Sequence, residues 1–83
     1  MSVKYYLIKD GQTERICTCY KEQSVIPNKG DELVLSDKDN NYKETTYKVI
    51  KRTIEYMFSV KEMDSIPYEV TIYLKEVKHD KNN

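Results

Sequence analysis

Thr45-Thr46-Tyr47-Lys48-Val49-Ile50-Lys51-Arg52-Thr53-Ile54-Glu55-Tyr56-Met57-Phe58 is the longest apolar-rich stretch of the chain, and its reading decides the fold. Thr45, Thr46, Val49, Ile50, Thr53 and Ile54 are β-branched, which favours an extended strand, bent or bulged near Lys51-Arg52. From Ile54 onward a short amphipathic helix competes, because Ile54, Met57 and Phe58 have helical spacing. No strong N-cap and no alanine support that helix, so the strand is preferred. The expectation is a mainly β domain, with an α+β fold carrying one short helix within residues 54–66 as the alternative.

Composition outside this stretch agrees. The 83 residues contain no alanine and four leucines, whereas Val, Ile, Tyr, Phe and Thr fill 29 positions. Such side chains suit a pleated, half-buried surface better than a helix. Hydrophobic residues make up 39% of the chain, enough for one modest core without a deep catalytic cleft. A single β-rich domain over residues 1–78 is expected, followed by a disordered tail at 79–83.

Turn chemistry divides that domain. Val3 to Lys9 reads as a strand, Asp10-Gly11 as a type I′ turn, and Thr13 to Tyr20 as the returning strand. The register stays open, although Tyr5 and Tyr6, being adjacent, must face opposite ways. Lys21 to Ser24 is a polar connection. Pro27 and Gly30 mark an ordered loop before Leu33-Val34-Leu35, which reads as a short buried strand. Ser36 to Asn41 is a polar turn. Its alternating Asp37, Asp39 and Asn41 invite comparison with a calcium loop, but Tyr42 and Lys48 stand where glycine and glutamate are needed. Lys61 to Pro67 reads as a connection with room for one helical turn. Tyr68 to Val77 then alternates, with Val70, Ile72 and Leu74 on one face and Tyr73 and Lys75 on the other. Five strands in meander-like order suit a small closed or partly open barrel.

Pro27-Asn28-Lys29-Gly30-Asp31-Glu32-Leu33-Val34-Leu35, followed by Tyr47-Lys48-Val49 and Val70-Thr71-Ile72, resembles the pattern of small SH3-like β-barrels. The whole also resembles short proteins of bacterial chromosomes and mobile elements. The resemblance implies a barrel and a binding role without identifying a ligand. It does not extend to the aromatic groove that receives Pro-rich peptides, since the chain has no tryptophan and no matching acidic-aromatic cluster.

Charge narrows the function classes. Fourteen basic and fourteen acidic residues cancel, and neither sign forms a block along the sequence. Nucleic-acid binders normally carry a basic excess, so that function is a disfavoured alternative, resting on Lys48, Lys51, Arg52 and neighbouring aromatics. No signal-peptide run or membrane-length apolar segment occurs, so cytoplasmic residence with reduced thiols is expected. Cys17 and Cys19, spaced i and i+2, share a strand face and could grip a soft ion. A structural zinc site wants four ligands, and the only histidine is His79 in the expected tail. Two half-buried strand residues account better for the pair.

No nucleophile–base pair, phosphate loop or carboxylate constellation stands out, so neither an enzyme nor a cofactor is expected. The tyrosines remain: eight are too many for so small a core, and exposed tyrosines favour interfaces. The expected function is a small binding module that meets a protein partner, or a second copy, through a tyrosine-bearing sheet surface or a strand edge. Its candidate surface comprises Tyr5, Tyr6, Tyr73, Lys48, Lys51 and Arg52.

Overall fold

The computed structural model describes residues 2–19 and 25–78. Tyr20, the Lys21–Ser24 connection and the 79–83 tail with His79 lie outside the described residues. Within them the chain is mainly β: β1 (Ser2–Lys9), β2 (Gln12–Cys19), β3 (Glu32–Asp37), β4 (Lys43–Ser59) and β5 (Asp64–Glu76). They form one open mixed sheet in the order β2-β1-β5-β4-β3. The expected meander order is therefore corrected. β1 lies parallel to β5, Val3 beside Val70 and Leu7 beside Leu74, while every other pairing is antiparallel.

The alternative helix within 54–66 does not form. Residues to Ser59 continue β4, a turn follows over Val60–Met63, and Asp64 opens β5. β-branched and aromatic side chains outweigh the short helical spacing, and Ile54 gains a cross-strand partner in Val70. Pro67 is tolerated inside β5 because β1 begins only opposite Glu69, so no strand needs a donor on Pro67's other side.

The first hairpin forms as its turn chemistry demands. Asp10 and Gly11 both take positive φ, 51° and 76°, and Val3 pairs with Cys19. On the second hairpin, the Asp37 carboxylate accepts from the Asp39 backbone N–H at 2.9 Å, which commits it to the turn. The Asn28–Asp31 loop carries on where β3 stops. Gly30 N–H donates to the Val49 carbonyl at 2.8 Å, and Val49 N–H donates to the Asp31 carbonyl at 2.9 Å. Gly30 holds φ at 94°, a conformation that side chains rarely adopt.

Val3, Tyr5, Val49, Val70, Ile72 and Leu74 make the core, with Ile26, Leu33, Leu35 and Tyr47 packed against it. Leu33-Val34-Leu35 is only half-buried, because β3 is an edge strand and Val34 points to solvent. β4 and β5 run on together past their neighbours as a two-stranded arm. At about 3.3 Å per residue the 17 residues of β4 span roughly 55 Å, nearly the whole 59 Å long axis of the molecule.

Candidate functional site

The sheet has one face on the core and one toward solvent, and strand register assigns each side chain to one of them. β5 turns Val70, Ile72 and Leu74 toward the core, so Thr71, Tyr73 and Lys75 fall on the other face, where Thr71 is itself buried, Tyr73 half-buried and Lys75 exposed. Tyr5 pairs with Ile72 and is 9% exposed, which removes it from the candidate surface. Tyr6 pairs with Tyr73 on the outer face, and their rings stack with centroids 5.8 Å apart and planes 23° from parallel.

Two β-bulges then bring cations to this tyrosine pair. In β4 the register passes from Val49–Leu74 to Lys51–Tyr73, leaving Ile50 as the extra residue. Without it, Lys48 and Lys51 would fall on opposite faces; with it both join Tyr73 and Lys75 on the outer face. The Lys51 ammonium sits 5.7 Å from the centre of the Tyr73 ring, a cation–π contact. In β2 the register passes from Cys17–Tyr5 to Arg15–Tyr6, leaving Ile16 as the extra residue. Arg15 thereby flanks Tyr6. The row across the sheet reads Arg15, Tyr6, Tyr73, Lys51.

Of the six candidate residues, the structure gathers Tyr6, Tyr73, Lys51 and Lys48. Lys48 stands beside Lys75, one row from the tyrosines. Arg52 pairs with Ile72, on the opposite face from Lys51, and the two meet only at the rim, where Asn28, Lys29, Ile50, Lys51 and Arg52 line one groove. Sequence reasoning missed Arg15, because only the Ile16 bulge turns it outward. A bend near Lys51-Arg52 is legible from sequence; the face it assigns to each cation is not.

Acidic groups keep to the margins of this face. Glu69 is bridged to Lys4 at 2.7 Å, and Glu55 accepts a hydrogen bond from the Tyr68 hydroxyl at the base of the arm. That bond, reinforced by the nearby Glu55 charge, holds the Tyr68 phenol above its ordinary pKa. Glu32 of β3 stands directly across from Lys48, and Glu44 lies farther along β4 opposite Ser36.

The arm is a second feature. Tyr56, Met57, Phe58, Val60, Met63 and Ile66 are all exposed there, Phe58 by 73% and Met63 by 90%. Met57 pairs with Ile66 on one face, whereas Tyr56 and Phe58 point to the other. Among the described residues, no strand pairs with the outer side of β4 beyond Lys48. Among the described residues, both faces of the arm are uncovered, as are its β4 edge and the shorter β5 edge before Glu69. Sequence reasoning placed Tyr56, Met57 and Phe58 in a strand or short helix and Met63 and Ile66 in a connection, without marking any of them as surface; their signal was an apolar run that does not alternate.

Cys17 and Cys19 are not joined in a disulfide and lie on one strand face, as their spacing requires. Partial burial first, then the neighbouring Cys19, push the Cys17 thiol above its ordinary pKa, which makes it a poorer nucleophile and ligand. Among the described residues, no group of three or more His, Cys, Asp or Glu side chains comes together to hold a metal ion. Among the described residues, no helix is long and apolar enough to cross a membrane. Comparison with protein-family models, curated proteins and solved structures finds no match.

Proposed function

We propose that the protein is a small protein-interaction module whose arm docks a second copy of the chain along the free edge of β4. One observation carries this reading: the arm concentrates Tyr56, Met57, Phe58, Val60, Met63 and Ile66 in exposed positions on a hairpin that nothing else in the described chain covers. An isolated two-stranded hairpin is marginal in water, and large exposed apolar patches mark interaction sites. A second copy suits the edge because an antiparallel strand pair is itself two-fold symmetric, so β4 is a ready partner for β4.

The SH3-like comparison belongs to the same reading. We take the sheet as a partly open barrel, supported by a groove of about 500 Å³ lined by Ile16 and Cys17 of β2 together with Leu35 and Tyr47 of β3 and β4. The two sheet edges face each other across it without pairing. Cytoplasmic residence and the absence of catalysis remain part of this proposal.

Sedimentation velocity over a wide concentration range tests the docking. The wild type should dimerise, and Phe58→Asp with Met57→Asp should return it to monomer with an unchanged circular dichroism spectrum, since neither side chain lies in the core. A wild type that stays monomeric at every concentration overturns the self-docking arm.

A further inference from the structure

The outer face of the sheet carries a separate function. We infer that the Arg15–Tyr6–Tyr73–Lys51 row, with Lys48 and Lys75 beside it, binds single-stranded nucleic acid. The inference is independent of the arm, which lies beyond the paired core of the sheet.

Three observations converge on it. First, the face is aromatic where it is central: Tyr73 on the middle strand β5 and Tyr6 on its neighbour β1 stack on each other and turn away from the core. Bases stack on such rings whatever their identity, because every base has a π-face. Second, cations flank the rings on both sides, Arg15 from β2 and Lys51 from β4, and Lys48 and Lys75 extend the charge along β4 and β5. Phosphates at the margins of a stacked base would meet these groups. Third, both flanking cations owe their placement to a one-residue bulge at the level of the tyrosines, Ile16 in β2 and Ile50 in β4. Bulges cost ladder hydrogen bonds and re-aim side chains. Two of them at one level, each delivering a cation to the same aromatic pair, have a common explanation in an anionic, stackable ligand.

The neutral total charge is no obstacle at this scale. The acidic residues of the face are bridged, as Glu69 is to Lys4, lie at the arm base, or stand on β3, where Glu32 is directly across from Lys48; the row Arg15, Tyr6, Tyr73 and Lys51 itself holds no acidic residue. Single-stranded chains fit better than duplex, because a duplex keeps its bases stacked internally and offers no free ring to Tyr73.

Fluorescence anisotropy with labelled oligo-dT, a mixed-sequence single-stranded RNA, a DNA duplex and a polyglutamate peptide tests the assignment. Both single strands should bind more tightly than the duplex or the peptide. The log of the association constant should fall against log salt with a slope of about −2 to −3, as expected for three or four neutralised phosphates. Tyr73→Ala should weaken binding about tenfold. Lys51→Gln should reduce the slope by about 0.7 while leaving the fold intact, since Lys51 is exposed. Circular dichroism melts of both variants separate lost binding from lost structure. No binding to either single strand at low salt, equal binding of polyglutamate, or Tyr73→Ala and Lys51→Gln variants that are folded and bind like the wild type would each overturn the inference.

Discussion

Tyr68 shows how a single side chain reports on the arm. It is the extra residue where β5 passes from the Glu69–Glu55 pair to the Pro67–Tyr56 pair, and its hydroxyl donates to Glu55. The hydrogen bond favours the protonated phenol, so Tyr68 ionises above the ordinary value near 10. A folded-state pKa raised in this way stabilises the fold below the unfolded phenol pKa and loses that contribution as pH rises through the folded value. The group is exposed, so the effect belongs in a titration rather than in a stability measurement. Ultraviolet titration should find one tyrosine ionising later than in the Glu55→Gln variant. Coincident curves for the two proteins would show that the bond does not persist in solution.

At the scale of elements, the arm and the bulges divide the legible from the illegible. Hydrogen exchange should show amides of 54–59, 64–66 and Tyr68 exchanging faster in dilute protein than those of 70–74, which are paired on both sides by β1 and β4. Raising the protein concentration should slow the arm amides selectively. Uniform protection at all concentrations would mean that the arm is stable without a partner. The sequence made the first hairpin readable because Asp10-Gly11 has one good conformation, and it made β5 readable because Val70, Ile72 and Leu74 alternate without a break. It also indicated a distortion near Lys51. The arm stayed hidden because its apolar residues occupy both alternation phases, and a half-helical spacing such as Ile54, Met57 and Phe58 then competes with a strand. The site was half legible for a related reason: alternation puts Tyr73 outward and one of Tyr5 and Tyr6 with it, without saying which, and a bulge inserts one residue and inverts every later assignment, so Arg15 was missed and Lys51 and Arg52 could not be assigned to their faces. Strand order was beyond reach, since local sequence records which segments are strands and not that β1 lies beside β5.

The molecule as a whole rests on a small core. Ile72 and Leu74 are fully buried, and four other hydrophobic side chains complete the set. A domain of this size has about 4–12 kcal/mol of stability in total, while truncating a buried leucine costs about 2–5 kcal/mol. Leu74→Ala should therefore lower the urea midpoint severely or abolish the cooperative transition, whereas Val34→Ala, at an exposed edge position, should barely move it. Equal midpoints for the two variants would place the core elsewhere. The parallel neighbourhood of β1 and β5 has a further consequence during synthesis. Val3 is decoded long before its partner Val70. At about 5–20 residues per second that interval is roughly 3–13 s. Once it has emerged, the nascent β1–β2 hairpin carries an apolar side that stays uncovered until β5 arrives, the period in which the chain is most open to aggregation.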